Sequence, residues 1–186
     1  RAYKTTTVSG NPNGYPSCFT LYKLDDGGSV EPQPTEPVVT EPIVTEPVVT
    51  EPAVPERTTG LVTDPAVLQA GDTIVIFNPA NGKTLSTTYS GYYNAATAVA
   101  LADGVLTGYT DADVWTLGMN ADGTVTFSTA EGRKISMGTG YTSMPLDDVN
   151  TAWSIEAAKT ENCFYIKNVA RGNYIEWYAD KNNWSS

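Results

Sequence analysis

The phrase A-x-G-x-x-[IL] occurs three times in this chain, as Ala80-Asn81-Gly82-Lys83-Thr84-Leu85, Ala130-Glu131-Gly132-Arg133-Lys134-Ile135 and Ala170-Arg171-Gly172-Asn173-Tyr174-Ile175. Each copy follows a β-prone run: TIVIFN, TVTFST and FYIKN. Glycine supplies the positive φ that a tight hairpin requires, and the aliphatic residue three positions later returns an apolar side chain to the core. Three hairpins of one design are therefore expected, with their glycines 50 and 40 residues apart.

A second phrase closes the units. Val114-Trp115-Thr116-Leu117 and Ala152-Trp153-Ser154-Ile155 both place a bulky aromatic, a small hydroxyl and an aliphatic residue in order. The third unit has no such phrase after Trp184, but Cys18-Phe19-Thr20-Leu21 near the N-terminus has the same form. The expectation is an all-β chain in which residues 1–24 are the closing strand region of an upstream similar module. Residues 61–186 form a module that lacks its own last strand, and the whole reads as a piece cut from a tandem array. An open core wedge exposes unpaired backbone groups, so residues 15–24 are expected to pair into it, within one chain or by strand exchange between chains.

Three hairpins with three aromatic closing strands resemble a β-trefoil, the fold of ricin-type lectin modules. The resemblance covers residues 70–186, with 1–24 as the third closure. Ricin-type units carry Q-x-W, whereas this chain has Asp113-Val114-Trp115 and Thr151-Ala152-Trp153, keeping the tryptophan without the glutamine. The departure bears on the sugar site more than on the fold. A β-sandwich is the alternative, although it does not require a threefold phrase.

Between the two parts lies Thr35-Glu36-Pro37-Val38-Val39, repeated with small changes four times through Val54. Each unit carries a proline, which removes a backbone donor and fixes φ, and a glutamate that repels the next. Residues 25–60 are expected to be an extended or disordered linker, Glu31 to Glu56 reaching roughly 80 Å when fully stretched. No PxxP pattern with an adjacent basic anchor marks it as a docking motif. An acidic Thr/Pro spacer between similar β modules resembles the accessory region of large secreted or surface proteins of Gram-positive bacteria, which implies an extracellular location.

The composition removes several functions. The net charge is −10, with six of the acidic residues in the spacer (Glu31, Glu36, Glu41, Glu46, Glu51 and Glu56), and the 11 cations are scattered, which argues against nucleic acid. No apolar run reaches the roughly 18 residues of a membrane span. There is no histidine, so the usual general base, zinc ligand and hydrolytic triads are missing. Cys18 and Cys163 are compatible with one bridge or with two free thiols. Asp147 and Asp148 are adjacent, and on a strand they would point to opposite faces instead of flanking a substrate. No D-x-[DN]-x-[DN]-G run marks a calcium loop. The expectation is no enzyme, no cofactor and no metal.

Aromatic residues follow each hairpin: Tyr92 and Tyr93, then Tyr141, then Trp177, Tyr178 and Trp184. Sugar sites set an aromatic face against a pyranose and take its hydroxyls with amides or carboxylates. Trp184, Tyr178 and Tyr141 are the expected stacking platforms, with Asp147 and Asn182 as hydrogen-bonding partners and Trp184 as the most exposed ring. The function expected is a non-catalytic module that binds a polysaccharide or cell-surface glycan. Its alternatives are a structural or adhesive spacer with no small ligand, and a non-catalytic fragment of a secreted hydrolase whose catalytic domain lies upstream.

Overall fold

Gly82, Gly132 and Gly172 adopt φ of 62°, 80° and 72°, so all three copies of the phrase turn on a left-handed glycine. The structure is a computed structural model, and it describes residues 16–25, 58–91, 93–139 and 142–186. Most of the spacer, with every copy of its repeat, and Tyr141 lie outside the described residues.

The strands follow the phrases. Strand β1 (Thr20–Asp25) continues the N-terminal closing phrase and takes in the first residue expected of the spacer, and β2 (Thr58–Val62) takes in the last three, 58–60. The first unit contains β3 (Thr73–Asn78), β4 (Lys83–Tyr89), β5 (Asn94–Ala98), the short β6 (Ala100–Ala102) and β7 (Val105–Thr107), and the closing β8 (Val114–Met119). The second has β9 (Val125–Ser128) and its closing strand β10 (Trp153–Ala157); the third has β11 (Phe164–Asn168), β12 (Glu176–Tyr178) and β13 (Asn183–Ser185). Eleven of these strands form one curled antiparallel sheet, with β6–β7 as a separate ribbon.

One pairing scheme recurs around that sheet. The closing aromatic of each unit lies opposite the start of an opening strand: Trp115 opposite Ile74, Trp153 opposite Val125 and Phe19 opposite Phe164. The aliphatic residue two positions later pairs with the next opening strand, as Leu117 with Phe127, Ile155 with Ile166 and Leu21 with Ile76. Followed in order, β3, β8, β9, β10, β11 and β1 return to β3, and the Phe19–Phe164 bridge is the seam. The expected pairing of the N-terminal segment is thus made here within one chain. Asp25 is opposite Thr58, so the spacer leaves and re-enters one sheet at neighbouring positions.

The core sits inside this curl and is lined by the repeated positions. Trp115, Trp153, Phe19, Leu117, Leu21, Ile76, Phe127, Ile166, Leu85, Ile135 and Ile175 are all buried in one cluster. Indole N–H groups need acceptors when buried. Trp115 donates to the Leu85 carbonyl at 2.8 Å and Trp153 to the Ile135 carbonyl at 3.1 Å, each to the aliphatic residue of its own unit's phrase. Asparagines support the turns: Asn78 Oδ1 accepts from the Asn81 N–H and Asn168 Oδ1 from the Arg171 N–H, while their amides donate to the carbonyls of Cys18 and Asn150. Asp113 is fully buried but accepts from Thr84 Oγ1 and from the Thr110 N–H and hydroxyl. Its carboxylate pins β4 to the loop before β8.

Candidate functional site

Strands β12 and β13 form a hairpin around a 3₁₀ turn, Ala179–Lys181, which ends at Asn182 in the left-handed region (φ 51°). Trp177 pairs with Trp184, Tyr178 with Asn183, and Trp184 in turn with Asn94 of β5. Side chains alternate along a strand. One side of this ribbon therefore carries Trp177, Trp184 and Asn94 toward the core, and the other carries Tyr178 and Asn183, beside Tyr93 just before β5.

On the outer side, the Tyr93 and Tyr178 rings lie 5.5 Å apart at 53°, both half-buried. Asn183 Oδ1, across the ladder from Tyr178, has no hydrogen-bond partner among the described residues. At the end of the ribbon, Lys83 donates to Asn182 Oδ1 at 2.8 Å and places its ammonium 5.4 Å from the centre of the half-buried Trp177 ring. The ribbon offers two half-buried tyrosine faces on its outer side and, at its exposed end, the Asn182 amide with the Lys83 ammonium.

The sequence-predicted residues divide. Tyr178 and Asn182 fall in this ribbon. Trp184 is corrected: expected as the most exposed platform, it is fully buried, packs 4.8 Å from Trp177 and 5.1 Å from Phe19, and donates to the Thr84 carbonyl at 2.8 Å. The N-terminal segment covers the surface that the ring was expected to show, so Trp184 is the floor of the ribbon. Asp147 is exposed and accepts from the Val149 N–H in its own loop; among the described residues no hydrogen bond links it to Tyr178, Asn182 or Trp184. Tyr141 lies outside the described residues. A second ring pair, Tyr165 and Tyr174, is already engaged, because Glu156 accepts from the Tyr174 hydroxyl and lies 3.7 Å from Lys167.

Two further groups lie outside the sugar-site residues read from the sequence. Glu176 accepts from the Ser17 N–H at 2.9 Å, and Ser17 Oγ accepts from the Trp177 N–H at 3.0 Å. Burial pushes the Glu176 carboxyl up to about 7 against the pull of the Ser17 bonds. Cys18 and Cys163 meet beside the seam: a hydrogen bond from Cys163 holds the Cys18 thiol down at about 7, and the same contact, with burial, pushes Cys163 up. Glu176 and Ser17 are recognisable as partners only once the ring is assembled, whereas the two cysteines are a pair whose bridging the sequence leaves open.

Comparisons with protein-family models, with curated proteins and with solved structures each find no match. Among the described residues no cluster of three or more His, Cys, Asp or Glu is arranged to hold a metal ion, and no helix is long and apolar enough to cross a membrane.

Proposed function

We propose that this chain is a non-catalytic carbohydrate-binding module of β-trefoil type, an accessory part of a secreted or cell-surface protein. The ring of six strands with three equivalent aromatic closures supports the trefoil reading, since a sandwich of two facing sheets does not call for one contact scheme repeated three times. The observation that carries the function is the outer face of the β12–β13 ribbon: the half-buried Tyr93 and Tyr178 rings, tilted 5.5 Å apart, with the exposed Asn182 amide at the ribbon's end. A lectin contact of this kind is weak by itself and gains from tandem copies through effective concentration.

The test is a glycan array printed with polysaccharides and cell-surface glycans, probed with the protein at high surface density beside a Tyr178→Ala variant of unchanged thermal midpoint. Binding that the variant loses supports the reading. Binding that survives moves the site elsewhere, and no binding by either protein favours the structural spacer, a reading supported by the burial of Trp184.

A further inference from the structure

Phe19 and Phe164 exchange two backbone hydrogen bonds, Phe19 N–H to Phe164 O at 2.8 Å and Phe164 N–H to Phe19 O at 2.7 Å. Each phenylalanine is preceded by a cysteine. In an antiparallel pair, the residues preceding two partners leave the ladder on the same face as diagonal neighbours, and here their two thiols meet in a hydrogen bond. Phe19 and Phe164 both enter the inner core, so Cys18 and Cys163 lie on the outer face, the face that Tyr22 also occupies.

Both cysteine backbones are held from several directions. The Cys18 carbonyl accepts from Asn78 Nδ2 at 2.8 Å, and the next residue is locked into the bridge. The Cys163 N–H donates to the Thr160 carbonyl at 3.1 Å, and its carbonyl accepts from the Ala158 N–H at 2.9 Å. Neither thiol belongs to the proposed sugar face, and neither is needed to fill the inner core. Cys163 is buried while Cys18 is partly exposed, so a reagent in solution reaches Cys18 first.

We propose that Cys18 and Cys163 are a cross-linking pair that closes covalently across the seam of the ring, fastening the N-terminal strand to β11. The oxidant is a small-molecule disulfide. The Cys18 thiolate attacks one sulfur of that disulfide, forming a mixed disulfide and releasing one thiolate, which takes up a proton. Cys163 then gives up its proton and attacks the Cys18 sulfur, and the second small thiol leaves. The protein loses two hydrogens and two electrons, and the small disulfide becomes two thiols. The depressed Cys18 thiol supplies the attacking thiolate near neutral pH.

The consequence is a choice between two states of β1. While the thiols are reduced, only noncovalent contacts keep the strand in its own ring, and exchange with the ring of a second copy stays open. Once cross-linked, the strand belongs to its own chain. This inference is independent of whether the tyrosine face binds sugar.

The test uses the full chain, folded with reduced thiols and then treated with excess glutathione disulfide. Intact mass should fall by two hydrogens with no retained glutathione, and proteolysis without reductant should yield a peptide joining Cys18 to Cys163. Amide exchange at Leu21–Leu24 should slow at least about tenfold on oxidation and recover on reduction, a change absent in Cys18→Ser. A stable glutathione adduct, two thiols that remain alkylatable, or a disulfide found only between chains would overturn the proposal. Unchanged exchange in β1 of the cross-linked protein would overturn its role as a clamp.

Discussion

Phe19 is fully buried against the Trp184 ring, 5.1 Å between ring centres, and so joins one end of the described chain to the other. Local turns cannot place these residues together. The contact exists because β1 lies between β2 and β3 and brings Phe19 into the ring at the point where β11 passes. The N-terminal strand is therefore a structural member of the sheet that carries the β12–β13 ribbon.

Removing that member should be costly. Phe19→Ala takes a whole ring out of a packed core and leaves the Trp184 face uncovered, so stability should fall by about 3–5 kcal/mol. Urea denaturation followed by tryptophan fluorescence measures it. A loss below about 1 kcal/mol would mean that the strand is not packed as described.

The turn glycines allow a comparison within the chain. Gly132 and Gly172 have φ of 80° and 72°, whereas Gly138 has no positive φ and open space where a Cβ would stand. Gly132→Ala and Gly172→Ala should each cost about 1–2 kcal/mol, and Gly138→Ala should be close to neutral. Thermal unfolding of the three variants side by side tests whether the repeated phrase is a conformational requirement.

Those glycines, together with Trp115 and Trp153, were legible from sequence because their chemistry is local: a turn phrase that needs positive φ, and later in each unit an aromatic followed by a hydroxyl and an aliphatic residue, recur in recognisable form. Phe19 was legible for the same reason, as a phrase out of place. The environment of Trp184 was not. Its flanking asparagines and serines read as a solvated loop, but burial is decided by Phe19 and Trp177, and one of these lies beyond the spacer. Glu176 gave no signal either, since its partner Ser17 is equally remote and a single glutamate after an aliphatic residue is ordinary strand-edge composition. The aromatic and amide clustering of the last ten residues pointed to Tyr178 and Asn182, and the hairpin keeps both in one ribbon.

Trp184 and Tyr178, on opposite sides of one ribbon, should respond oppositely to truncation. Trp184→Ala empties a core site and strands the Thr84 carbonyl, costing about 3–5 kcal/mol. Tyr178→Ala removes a half-exposed ring and should cost about 1 kcal/mol or less. Guanidinium midpoints for the pair separate a floor residue from a surface one. Equal losses would contradict the assignment of the two faces.

Glu176 should make the docking of the N-terminal segment pH-dependent. Its carboxyl is raised from an ordinary value of 4.5 to about 7, chiefly by burial, so between these values the folded protein binds more protons than the unfolded chain. Stability from this group is then fully present below about 4.5 and is lost as pH rises through about 7. Because the side chain is half-buried, solvent screening limits the loss to about 1 kcal/mol. Glu176→Gln keeps an oxygen for the Ser17 N–H and carries no charge at any pH, so the variant should hold its high-pH stability and overtake the parent above pH 7. Denaturant midpoints for both proteins from pH 5 to 8.5 are the measurement. A parent whose stability rises across that range, or a variant whose profile stays parallel to it, would show that another group governs the dependence.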